Sequence, residues 1–119
     1  MAMRKLQMIS SLAALAKQKV GTIDACKLRT ATVTVRATYD GAAIAPVRLN
    51  IYTTPNKEEW DSVAADYFDV DFSAGATVQK TEWIAVPEEG EVEFEVENRD
   101  SAQAATDVSV WVSFERWQG

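Results

Sequence analysis

The stretch Glu91-Val92-Glu93-Phe94-Glu95-Val96-Glu97-Asn98 alternates without a break between polar and apolar residues. Successive side chains of a strand point to opposite faces. Val92, Phe94 and Val96 therefore share one face, and Glu91, Glu93, Glu95 and Glu97 share the other. The segment from Asp107 to Glu115 repeats the pattern with Val108, Val110, Val112 and Phe114. Together the two read as an antiparallel pair with one apolar and one wet face.

Upstream runs carry the same period. Val33, Val35 and Ala37 alternate with Thr32, Thr34 and Arg36 over the segment Ala31 to Tyr39. Val47, Leu49 and Ile51 alternate with Arg48, Asn50 and Tyr52, and Phe68, Val70 and Phe72 with Tyr67, Asp69 and Asp71. From Thr77 to Val86 the phase slips, because Lys80 and Glu82 stand between Val78 and Ile84. That slip marks a bulge or an edge strand protected by charge. Asp40-Gly41, Pro55, Ser73 to Ala76, and Pro87 to Gly90 punctuate these runs as turns and breaks. Six strands with short connections and no helical pattern between them make residues 31–119 an all-β body, an antiparallel β-sandwich or jelly roll.

Residues 1–30 differ in both period and charge. They hold six basic residues against Asp24 alone, whereas residues 31–119 hold six basic and seventeen acidic, for a net charge of −6. Met8, Ile9, Leu12, Leu15 and Ala16 recur at spacings of three and four, which predicts a helix over residues 1–19. Lys17 and Lys19 suit its C-terminus and Gly21 its stop. A short strand from Thr22 to Leu28 follows. The segment Met1 to Ala16 also resembles a short signal peptide, although Gln7, Ser10 and Ser11 break its apolar stretch. The expectation is a basic N-terminal arm, helical then extended, that docks on its own acidic body or on a neighbour's.

Composition excludes several function classes. The chain has no histidine, which removes the commonest general base and imidazole metal ligands. Its single cysteine, Cys26, cannot form an internal disulfide and is expected to be a small buried hydrophobe. No apolar run approaches the roughly 20 residues of a membrane-spanning helix. An acidic body repels phosphate, so nucleic acid is not an expected partner. There is no Gly-rich phosphate loop, no Cys/His metal spacing and no nucleophile elbow. No catalytic residue, cofactor or metal is therefore expected.

Three groups of residues remain as candidates. Glu91, Glu93 and Glu95 with Glu97 form a ladder that either stays in water or docks basic groups such as the arm. Asp61, Asp66, Asp69 and Asp71 supply oxygens but lack a calcium-loop spacing. Trp111 and Trp117 share the outward parity of the last strand. Trp83 is opposite in phase to Ile84, Trp60 lies on a loop, and Tyr52 and Tyr67 also point outward. Large aromatics on a nominal solvent face need cover from the arm, from another chain or from a sugar. The expected interface comprises Arg4, Lys5, Met8, Ile9, Leu12, Leu15, Lys17 and Lys19 on the arm. On the body it comprises Tyr52, Trp60, Trp83, Glu91, Glu93, Glu95, Trp111 and Trp117.

Residues 31–115 also resemble small β-sandwich proteins encoded in the structural gene modules of tailed bacteriophages. The resemblance rests on Thr32-Val-Thr-Val-Arg36, on the Trp60-Asp61 loop leading to Phe68-Asp-Val-Asp-Phe72, and on Ser73-Ala-Gly-Ala-Thr77 with Gln79-Lys-Thr81. Val96-Glu-Asn98 leading to Val108-Ser-Val-Trp-Val112 completes it. It implies a virion component of head-decoration, neck, collar or tail-associated type, with copies of itself and other virion proteins as partners. It carries no catalytic residues. Two other readings stand beside it: a carbohydrate-binding sandwich using exposed tryptophans, and a small hydrolase using paired carboxylates.

Overall fold

The structure, a computed structural model, describes residues 2–54, 58–84 and 90–116. Eight strands follow one another: β1 (Ala2–Leu12), β2 (Lys17–Asp24), β3 (Leu28–Tyr39), β4 (Val47–Thr54), β5 (Asp66–Asp69), β6 (Thr77–Trp83), β7 (Glu91–Asn98) and β8 (Ala105–Arg116). They form two four-stranded antiparallel sheets, ordered β1-β8-β3-β6 and β2-β7-β4-β5. No helix occurs among the described residues.

The strand order has a simple origin. β1 pairs with β8, β2 with β7, β3 with β6 and β4 with β5, so the chain doubles back on itself as one long ribbon. The ribbon then wraps until β8 meets β3 and β7 meets β4. That wrapping is the topology of a jelly roll. One hydrophobic core lies between the sheets. Val33, Val35, Val110 and Val112 enter it from one side, and Leu49, Val92, Phe94 and Val96 from the other, all fully buried.

Three expectations need correction: the pairing of the last two strands, the N-terminal helix and the burial of Cys26. The glutamate strand and the last strand do not pair with each other. β7 lies in one sheet and β8 in the other, and their apolar faces meet across the core. The connection between them is too structured for a tight hairpin. Asn98 Nδ2 donates to the carbonyls of Leu12 (3.1 Å) and Gln103 (2.9 Å), and the N–H of Arg99 donates to the carbonyl of Pro46 (3.1 Å). The chain is thereby steered from one sheet to the other.

The second correction is the helix. Residues 2–12 form a strand on β8 and residues 17–24 a strand on β7, so the N-terminal segment supplies one edge of each sheet. The turn after β1 sets Leu15 and Ala16 at helix-like spacing from Ile9 and Leu12. The register of β1 shifts between Lys5 and Gln7, and the chain turns at 13–16, where Leu15 has φ 58°. Ile9 and Leu12 are buried, but Met8 is 58% and Leu15 62% exposed, so the stripe is not one face. Gly21 does not stop a helix. It sits within β2 at a second bulge, packed under Leu6. Cys26 is exposed rather than buried, because it falls in the β2–β3 turn beside Lys27 at φ 57°.

Elsewhere the structure refines the reading. β6 is an uninterrupted edge strand whose inward positions include Lys80 and Glu82, as a charge-protected edge requires. β5 ends at Asp69, so the alternation through Phe72 does not continue as strand. Phe72 instead meets Tyr39 edge to face, with ring centroids 5.6 Å apart.

Candidate functional site: the two outer sheet faces

The outer face of β2-β7-β4-β5 is the glutamate face. The register puts Glu97 between Lys17 and Arg48, Glu95 between Lys19 and Asn50, and Glu93 between Thr22 and Tyr52. The ladder is therefore not bare. Glu95 is buried and accepts from Asn50 Nδ2 (3.2 Å) and the Tyr52 hydroxyl (3.1 Å). Asn50 also donates to Glu97 (3.1 Å). Lys19 forms an ion pair with Glu93, and its ammonium lies 4.7 Å from the Tyr52 ring centroid. The Glu93 hydrogen bond holds the Lys19 ammonium above its ordinary value. Partial burial, then the neighbouring Glu95 carboxylate, push the Tyr52 hydroxyl up. Of the two sources of cations offered by the sequence, the chain's own N-terminal segment meets its own ladder.

On the same face Arg48 binds both oxygens of Asp69 (2.7 and 3.2 Å) and stacks over Tyr67 at 4.1 Å. Asp61 accepts from the Thr53 hydroxyl, and Asp66 from the Tyr67 N–H. Among the described residues, no three acidic or cysteine side chains gather as a metal site.

The outer face of β1-β8-β3-β6 is the tryptophan face, and its chemistry is different. One row across the four strands reads Lys5, Trp111, Thr34, Thr81, and the next reads Met8, Ser109, Arg36, Gln79. Thr34 and Thr81 share a hydroxyl hydrogen bond of 2.8 Å, as do Thr38 and Thr77. The Trp111 ring is flanked by the Lys5 ammonium from β1 (5.5 Å to its centroid) and the Arg36 guanidinium from β3 (5.1 Å). Thr34, Arg36, Gln79 and Trp111 line a shallow open depression of about 240 Å³. Trp83, at the end of edge strand β6, is 69% exposed. Between the Thr38–Thr77 row and the Thr32–Trp83 row the β8 bulge carries an exposed carboxylate, Asp107 (φ 49°), yet neither Lys5 nor Arg36 is ion-paired among the described residues. The hydroxyl of Ser109, fully buried in the row of Arg36 and Met8, has no hydrogen-bond partner.

The expected interface residues thus divide. Lys5, Met8, Trp83 and Trp111 come together on the tryptophan face. Lys17, Lys19, Tyr52, Glu91, Glu93 and Glu95 come together on the glutamate face. Arg4 donates to the carbonyl of Thr22 and ties β1 to β2. Ile9 and Leu12 belong to the core. Leu15 is exposed in the first turn and Trp60 on the β4–β5 loop. Trp117 lies outside the described residues. Arg36, Arg48 and Asn50, each central to one face, were not among the expected residues. Their outward parity was legible, but their neighbours on other strands were not.

No protein-family model matches the sequence, and no curated protein matches it. A jelly roll hosts many unrelated functions, so the fold alone assigns none.

Proposed function

We propose that the protein is a non-enzymatic structural component of a tailed-phage virion that associates with neighbouring subunits through its sheet faces. One observation carries this reading. The tryptophan face is hydroxyl-rich, presents Trp83 to solvent, and holds two cations around Trp111 that form no ion pair among the described residues. An exposed face of this kind marks an interaction surface. Jelly rolls recur in viral capsid proteins, which agrees with the sequence resemblance. Residues 2–24 already complete both sheets, so association here works through the faces and not through a separate arm.

A sugar platform is the competing use of exposed tryptophans. Stacking on a sugar needs an open ring face, and at Trp111 the Lys5 ammonium and the Arg36 guanidinium already lie 5.5 and 5.1 Å from the ring centroid. Light scattering and negative-stain electron microscopy of the full chain at low salt test the assembly reading. Discrete oligomers or regular arrays are expected. A monomer at every concentration and salt, with tryptophan fluorescence quenched by glycans, would replace assembly with the sugar-binding alternative.

A further inference from the structure

We infer that the partner of the tryptophan face is the glutamate face of a second copy of this chain, so that subunits associate head to tail. The inference rests on the assembly reading above and names its partner. Both surfaces are on the same molecule, on opposite sides of one sandwich. The tryptophan face offers Lys5 and Arg36, neither ion-paired among the described residues, with Asp107 at the β8 bulge as its exposed carboxylate. The glutamate face carries Asp24, Glu91, Glu93, Glu95, Glu97 and Asp69 against Lys17, Lys19, Arg48 and Arg99, which pairs with Glu97 at 3.6 Å, and so keeps an excess of negative charge. Glu91 in particular has no cation partner among the described residues.

Electrostatics selects between the pairings. Two tryptophan faces would place Lys5 and Arg36 against their own copies. Two glutamate faces would place the ladder against itself. Only the mixed pairing is attractive, and like-charge juxtaposition disfavours the others. The aromatic content is complementary as well, since Trp83 and Trp111 would meet Tyr52 and Tyr67, residue types enriched at interface centres. Strands about 4.8 Å apart, of 7 to 12 residues in one sheet and 4 to 8 in the other, give faces of roughly 450 to 600 Å². That approaches the roughly 800 Å² per partner of a standard specific interface. Because the two patches differ, the contact is heterologous and repeats from copy to copy, closing as a ring or continuing as a stack.

A mixing experiment decides this. Lys5→Glu with Arg36→Glu disables the tryptophan face and leaves the glutamate face intact. Glu91→Lys with Tyr67→Ala does the converse. Circular dichroism checks that each is folded, and Arg36→Gln or Glu91→Gln replaces any variant that is not. In light scattering at low salt the wild type is expected to assemble and each variant alone to remain a monomer. Their equimolar mixture is expected to form a complex of two chains that grows no further, because one intact face of each kind remains. Raising salt to 1 M is expected to weaken the wild-type assembly. If the wild type assembles but the variants assemble equally well, or their mixture stays monomeric, the head-to-tail pairing is overturned while the assembly reading stands. If the wild type never assembles, the assembly reading fails and takes this pairing with it.

Discussion

The carboxylate of Asp100 accepts the backbone N–H of Ile44 at 2.7 Å, across 56 residues of chain. Its other oxygen accepts from the N–H groups of Ala102 (2.8 Å) and Gln103 (2.9 Å), and its carbonyl accepts from the N–H of Leu15 (3.0 Å). One buried side chain therefore fastens the β3–β4 and β7–β8 connections, and its backbone adds the β1–β2 turn. These are the connections that wrap the ribbon into a jelly roll.

The first prediction concerns acid. Backbone N–H donors, that of Ile44 first, hold the Asp100 carboxyl down at about 2. A carboxyl whose folded value is depressed stabilises the fold fully above its unfolded value, near 4. That contribution is lost as pH falls towards the folded value. Thermal unfolding followed from pH 6 to pH 2 should show the melting temperature falling most between about pH 4 and 2. Asp100→Asn should melt lower at pH 6 and show a shallower fall across that window. An unchanged pH profile in the variant would remove Asp100 from this role.

Tyr39 gives a second. Its buried hydroxyl donates to the carbonyl of Val70 (2.7 Å) and accepts from the N–H of Val47 (3.0 Å), which joins β3 to β4 and to the segment after β5. Tyr39→Phe leaves both backbone groups buried without that partner, at a cost of about 1–3 kcal/mol for each. Burial raises the Tyr39 hydroxyl above its ordinary value. Its neutral form therefore stabilises the fold below the unfolded value, near 10, and that contribution fades as pH rises further. Urea unfolding of wild type and variant at pH 7 and pH 11 should show the gap between them narrowing.

Gly21 has φ 149° and lies beneath Leu6, whose Cδ2 is 3.3 Å from where an added Cβ would sit. Gly21→Ala should cost about 1–3 kcal/mol through backbone strain at the β2 bulge. Pairing it with Leu6→Ala would relieve the contact but not the strain. A denaturation midpoint fully restored in the double variant would show that crowding alone was at fault.

Lys80 stands 3.6 Å from both Asp71 and Glu82, at the open edge formed by β6. Inward-pointing charges keep such an edge from pairing with another chain. The double substitution Lys80→Val and Glu82→Val should leave the fold intact and raise aggregation, read as thioflavin fluorescence and light scattering on incubation. A variant as soluble as wild type would show that the edge is protected by other means.

A smaller effect is expected at Ser109, whose buried hydroxyl has no partner. Ser109→Ala removes an uncompensated polar group and should be neutral or stabilising by up to about 1 kcal/mol. A loss of stability in urea unfolding would point to a partner for that hydroxyl.

Alternation alone fixed which side chains of β3, β4, β7 and β8 face the core, because the two-residue period is a local property of extended backbone. Val33, Val35, Leu49, Phe94 and Val110 all lie where the pattern puts them. The charge contrast between residues 1–30 and the rest was legible too, and it does work within the chain, where Lys19 meets Glu93. Pairing was not legible. Nothing in Glu91 to Asn98 says that its neighbours are β2 and β4 and not β8, because the residues it pairs with lie up to 80 positions away, as Lys17 does from Glu97. The N-terminal strands were hidden for a related reason. Bulges near Leu6 and Val20 break the two-residue period, and the turn between them completes a spacing that mimics a helix. Only closure of the ribbon, with Arg4 reaching Thr22 and Asp100 holding Ile44, decides that these residues are sheet edges and that Trp111 stands between Lys5 and Arg36.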